Sequence, residues 1–344
     1  MDDADGNVTV TDTTLSVAQA RKLIGAALTG AGTSTSNAAY FTEAILDTEM
    51  SGLAGHGFYW LQFYCQHVQS GKVDGKAKPK VRMLSPVAIE VDAKRGFAHP
   101  AIEAGFVKLV PAAKKFGVVT MIVKQSYNAA TLGYHTGTLA KQGLLAFGFT
   151  NSVPAIAPVG GVKPVIGTNP MSFAVPAGKG KIAFLIDQSS SATAWTNVKT
   201  AADEERSIPL GWALDVNGQP TDDPVKGLAG SMAPAGGYKG FGQGLIVEVM
   251  CAALAQSLRG PQMGSFSDND GKPIGCGQAF IAIDPAKFGG AHFHKQVKAL
   301  SKSVVAQKGA RMPNSRREGN IKTAKKAGVV IDAGLLETLR GFAV

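Results

Sequence analysis

"VVTMIVKQSYNAATLGYHTGTLAKQGLLAFGFTN", residues 118–151, decides the fold class. It opens on the apolar run "VVTMIV" and closes on a second, "LLAFGFT", each followed by small or polar residues. "MSFAV" at 171–175 repeats the pattern, and "KIAFLID" adds a run ending at Asp187. Short apolar runs bounded in this way read as buried strands. The loops after them carry Ser126, Asn128, Asn151, Ser152, Thr168 and Asn169.

Upstream the period changes to that of helices. "LSVAQARKLIGAALTGAG", from Leu15, spaces its apolar residues helically behind Ser16, a suitable N-cap, and ends on glycines. A second helix is expected over about 35–50, a strand and turn in "VAIEVDAKRGFAHP", and an amphipathic helix in "AIEAGFVKLVPAAKKFG" that ends on Gly117. Downstream, helices are expected at 242–258, around 292–307 and in the tail "DAGLLETLRGF". Together these make an α/β chain with helical ends and no internal repeat.

The 344 residues, 45% hydrophobic, are enough for one large domain or two to three smaller ones. No apolar run approaches the roughly 18–20 residues of a membrane helix, and "MDDADGNVTVTDTTL" is no signal peptide, so a cytoplasmic protein is expected. Cys65, Cys251 and Cys276 are too few and too scattered for a disulfide framework and read as buried thiols. The net charge of +10 is concentrated in 71–82 and 295–326, where no aromatics interleave as a base-stacking surface requires. Nucleic acid is therefore not expected, and the charge suits a small anionic ligand.

A dinucleotide fingerprint of the G-x-G-x-x-G type after a strand is missing. "GGYKGFGQG", 236–244, leads instead into an apolar helix, where glycine N–H groups and Lys239 could face an anion or simply make a tight turn. His292 and His294 stand two apart, and no G-x-S-x-G elbow is present, so neither metal ligation nor serine hydrolysis is suggested. That leaves His56, in "GLAGHGFYWLQFYC". Glycines on both sides leave room for a ligand to reach its ring, which favours proton transfer; a histidine closing a helix is the plainer reading.

Several stretches resemble one family over nearly the whole chain. "GHGFYWLQFY", "SGKVDGKAKPKV", "GFAHPAIEAG", "NSVPAIAPVGGVKPVIGTNPMSFAVP", "FLIDQSSSA", "GWALDVNGQPTDDP" and "PAGGYKGFGQGLIVEVM" follow one another as in the non-Rossmann malate/L-lactate dehydrogenase group. That group includes sulfolactate and ureidoglycolate dehydrogenases and the Δ1-piperideine- and Δ1-pyrroline-2-carboxylate reductases. The resemblance implies a central mixed-sheet cofactor domain at 116–290. A helical, substrate-binding part at 1–115 would be rejoined by a helical segment at 291–344. It further implies a homodimer using NADP or NAD.

In this family a histidine delivers the proton as hydride arrives, and His56 takes its place; an imidazole suits that task near neutral pH. The implied cofactor contacts are Ser126, Asn128, Ala129, Ala130 and Thr131, then Gly167, Thr168 and Asn169, then Lys239, Pro313, Arg316 and Arg317. The two arginines match a 2′-phosphate. Where the imino-acid reductases carry a serine, a relay aspartate and a substrate-clamping arginine, this chain carries Gly55, Asn197 and Trp60. Asp187 is then the alternative partner for His56, and Trp60, Lys124 and Asn151 are the expected substrate contacts. The leading expectation is NAD(P)H-dependent reduction of a cyclic imino acid. A 2-hydroxy acid dehydrogenase and a cofactor-binding protein with impaired catalysis are the alternatives.

Overall fold

The computed structural model describes residues 12–269 and 273–344. A short strand, β1 (Thr13–Leu15), leads into α1 (Val17–Gly30), whose N-terminus is closed by a capping box between Ser16 and Gln19. After α2 (Thr35–Met50) and α3 (Phe58–Gln69) come β2 (Lys80–Ser85) and β3 (Ala88–Asp92). α4 (Ala98–Phe116) then crosses over to β4 (Val118–Ser126), parallel to β3. It stops where expected, at Gly117 with φ +93°.

From there α5 (Leu132–Lys141), β5 (Leu145–Thr150), β6 (Met171–Gly178) and β7 (Lys181–Gln188) follow, then α6 (Trp195–Asp203). β8 (Ala213–Leu214), β9 (Pro220–Thr221), α7 (Pro224–Ala229) and β10 (Ser231–Met232) form a small three-stranded outwork. α8 (Tyr238–Glu248) starts four residues before the helix expected at 242 and passes into a π-helical turn at Val249–Leu254, so one even helix to 258 does not form. β11 (Cys276–Ile283), α9 (Gly290–Val305), α10 (Ser315–Ala327), β12 (Val329–Ile331) and α11 (Ala333–Phe342) complete the order.

Seven strands make one mixed sheet in the order β2-β3-β4-β11-β5-β6-β7. β11, the last of them in sequence, enters the middle, with Phe280 opposite Met121 on one side and Gly148 on the other. β2 and β3, though they precede residue 116, belong to this same sheet through the β3–β4 pairing. α4 covers one face with Ile102, Phe106 and Leu109, which pack with Val91, Met121 and Phe280. A second core joins the chain's two ends: Ile24, Leu28, Phe41 and Leu61 pack with Leu336 and Leu339, and β1 pairs with β12. Each such fully buried side chain contributes about 1.5–3 kcal/mol.

Strand directions gather the functional loops on one edge. β4, β5 and β7 end there, and β6 and β11 begin there, as the pairs Ser126–Cys276, Thr150–Gln278 and Met171–Gln188 record.

Candidate active site

A cavity of about 660 Å³ opens at that edge. Its walls are Leu53 and His56 of the turn before α3, Trp60 on the first turn of α3, the loop before α5, residues 152–155, Thr168 and Pro170, the stretches 187–189 and 191–196, Ser265–Ser267 and Arg317. The volume lies within the usual range for small-molecule sites.

His56 closes a 3₁₀ turn in which its N–H donates to the Leu53 carbonyl at 2.8 Å. Among the described residues, no protein group hydrogen-bonds its ring. Burial lowers its pKa below the usual 6.5, the Asp187 carboxylate opposes that shift, and the Arg317 guanidinium adds to it. Asp187, at the end of β7, accepts the Gly133 N–H at the start of α5 at 3.0 Å and pairs with Arg317 at 3.2 Å. A helix N-terminus and a cation thus hold one carboxylate beside the histidine.

The glycines flanking His56 do not leave the open space expected of them. A Cβ on Gly55 would stand 2.9 Å from the Thr196 hydroxyl, and one on Gly57 would overlap the Glu49 carboxylate. The room is filled from within the protein by α6 and α2.

The loop between β4 and α5 is held by its own side chains. Asn128 accepts the Ala130 N–H at 2.6 Å, Ala130 takes φ +50°, and Thr131 shares a 2.9 Å hydrogen bond with Thr48 of α2. Trp60 faces the cavity with Phe266, their ring centroids 6.0 Å apart, and makes part of the wall apolar.

The expected residues therefore divide. His56, Asp187, Trp60 and Arg317 line the cavity, as do Asn128, Ala130, Thr131 and Thr168. Asn169 lies just behind, fully buried, where its amide donates to Gly244 O and to Glu248, and Gly167 sits against Asn169 and Ser152. Ala129 belongs to the core under α4. Ser126 faces a separate cavity of about 210 Å³.

Six more of the expected residues stand away from the cavity. Asn197 is on the exposed side of α6 and donates to Thr193 at 2.8 Å. Lys124 is committed to Glu90 at 2.9 Å, and Asn151 spans Leu258 O and Gly277 N–H, both at 2.9 Å. Lys239 is exposed on the first turn of α8, after Gly236 and Gly237 with φ +62° and +66°. Pro313 and Arg316 are exposed ahead of Arg317.

Residues not anticipated include Thr196, Phe266 and Glu49. The serine-rich stretch after "FLID" signalled the first, whereas Glu49 is marked only by the glycine it forces at position 57.

A dinucleotide cofactor fits these surroundings. Gly236 and Gly237 have open space where a Cβ would stand, next to Ala235 in the cavity wall and at the N-terminus of α8. Backbone N–H groups so presented suit a phosphate.

The model of the malate/L-lactate dehydrogenase family matches residues 15–340. A (2R)-3-sulfolactate dehydrogenase (NADP(+)) of Chromohalobacter salexigens is 36% identical over 96% of this chain and 98% of its own length. A Δ1-pyrroline-2-carboxylate reductase of Ancylobacter novellus is 33% identical over 95% and 97%. Among solved structures, a Δ1-piperideine-2-carboxylate reductase from Pseudomonas syringae superposes with TM-score 0.90 at 32% identity, covering 96% of this chain and 99% of that one.

Proposed function

The chain belongs to the malate/L-lactate dehydrogenase family and is an NAD(P)-dependent oxidoreductase, and from that premise we propose that it reduces a small cyclic imino acid of the Δ1-pyrroline- or Δ1-piperideine-2-carboxylate type. The observation that carries this reading is the enclosure of His56 with the Asp187–Arg317 pair in one cavity that has an apolar Trp60–Phe266 wall.

When bound, the nicotinamide supplies a hydride to the carbon of the C=N bond. His56 gives the proton to nitrogen, so that the imine gains one hydride and one proton and becomes an amine. Asp187 lies where its charge favours the imidazolium that His56 must carry before each transfer. Arg317 is the one cation among the described residues lining the cavity and meets the substrate carboxylate while keeping hold of Asp187. Trp60 and Phe266 cover the ring carbons. Gly236 and Gly237, with Lys239 exposed beside them, would hold the cofactor phosphates where these extend beyond the cavity, and Arg316 would favour the 2′-phosphate of NADP.

A homodimer is part of the proposal. Tyr238, Leu245 and Val249, spaced as one stripe, are 71%, 43% and 60% exposed on α8 and its π-helical extension, an unusual cost for a lone chain. No helix among the described residues is long and apolar enough to cross a membrane.

The depressed pKa of His56 favours a second reading, a 2-hydroxy acid dehydrogenase, because a neutral imidazole is ready to take a hydroxyl proton. Purified protein is assayed with NADPH or NADH against the two imino acids and with NADP⁺ or NAD⁺ against malate, lactate and sulfolactate. Faster reduction of an imino acid is expected. Turnover of hydroxy acids alone selects the second reading, and tight NADPH binding without any turnover selects a binding protein.

A further inference from the structure

We propose that Glu49 is the positioning residue of His56, fastening the peptide on its C-terminal side by a hydrogen bond to the Phe58 N–H in the space Gly57 leaves open. This rests on His56 being the proton donor.

Three observations lead to it. The His56 ring has no hydrogen-bonded protein partner among the described residues, so its aim is set by the backbone that carries it. On one side that backbone is tied by the His56 N–H to Leu53 O. On the other, the Gly57 carbonyl accepts the Trp60 N–H at 3.1 Å, and the side-chain tie comes from Glu49: Gly57 is the N-cap of α3 and offers no side chain to the helix, and the Glu49 carboxylate takes that role from another element.

Glu49 itself is well anchored. It lies in the last turn of α2, whose end is secured by Gly52 N–H to Glu49 O and by Asn320 of α10 donating to Ser51 O at 3.0 Å. The same carboxylate therefore steadies His56 and the first turn of α3, which places Trp60 in the cavity. Any side chain at 57 would collide with it, which explains the "GHG" triplet as a packing requirement.

Burial raises the Glu49 pKa to about 7, and the Phe58 N–H works against that rise. Charged groups acting on this part of the molecule are Asp187 and Arg317 on His56, and Lys141, Arg317, Lys325 and Glu43 on Asp47 of the same helix. All remain when Glu49 alone is changed.

The test compares Glu49→Gln, Glu49→Ala and His56→Ala in the full chain. The glutamine keeps an acceptor oxygen and is expected to hold kcat within about threefold, without the inflection near pH 7 that Glu49 ionisation adds, whereas the alanine should lose about tenfold or more in kcat at nearly constant KM for NADPH. A kcat and pH profile unchanged in Glu49→Ala would overturn the proposal. Should the alanine variant fail to fold, Glu49→Gln decides: an unaltered inflection near pH 7 overturns it as well. His56→Ala separates the premise, for full turnover without the histidine would refute His56 as donor whatever Glu49 does.

Discussion

The Thr196 hydroxyl lies 2.9 Å from the point that a Cβ on Gly55 would occupy. Residues 55 and 196 therefore share one volume beside His56, and only one of them can carry the hydroxyl there. Gly55→Ser should lower turnover, and adding Thr196→Ala should restore part of it. A double-mutant cycle on kcat is expected to show coupling of about 1 kcal/mol or more, as for side chains in contact. Strictly additive effects would remove the idea of a shared volume.

Asp187→Asn should leave an acceptor for the Gly133 N–H while removing the charge that supports the His56 imidazolium. The pH dependence of reductive kcat/KM should shift to lower pH, by about one unit if the lost support is near 1.4 kcal/mol. An unmoved profile would show that Asp187 does not act on His56.

Arg317→Ala strips Asp187 of its cation in a partly buried setting, where the loss is about 1–3 kcal/mol after allowance for solvent. Reductive kcat/KM should fall about tenfold to a hundredfold, with Arg317→Lys intermediate because an ammonium lacks the forked donors. Equal activity in the lysine variant would argue against a forked contact.

Acid should weaken the fold through its buried histidines. His135 is wholly buried between His99, Tyr134 and Phe280, and burial holds its pKa at about 4; His99, stacked on Phe41, is also held well below 6.5. The unfolded chain binds these protons from pH 6.5 downward and the folded chain does not. Stability is thus fully present above pH 6.5 and falls as pH drops toward 4, by on the order of 3 kcal/mol for His135. Thermal melts at stepped pH should show this slope, and His135→Gln should flatten it.

Much of the architecture was legible because it is written in local patterns. Ser16 and Gly117 mark helix ends by cap chemistry, and the runs at 118, 144, 171 and 181 became β4 to β7. α10 escaped notice because it is polar all round, with Ala324 its one buried residue, and α5 because Gly133 and Gly137 weaken its helical signal. In the site, His56 and Asp187 could be named from the sequence. The filling of the glycine spaces by Glu49 and Thr196 could not, since it depends on which helices meet there. Lys124 and Asn151, expected as substrate contacts, are each taken up by a buried partner instead.

The place of β11 bears on how the molecule assembles. β4 and β5 touch the sheet's centre only through it, so until Cys276–Ile283 has left the ribosome each presents an unpaired edge to solvent. Closure of the sheet is then a late, long-range event, and such events are slow and exposed to aggregation. A nascent chain halted before residue 276 would hold two half-sheets with bare inner edges, and Arg317, still unmade, could not yet complete the cavity.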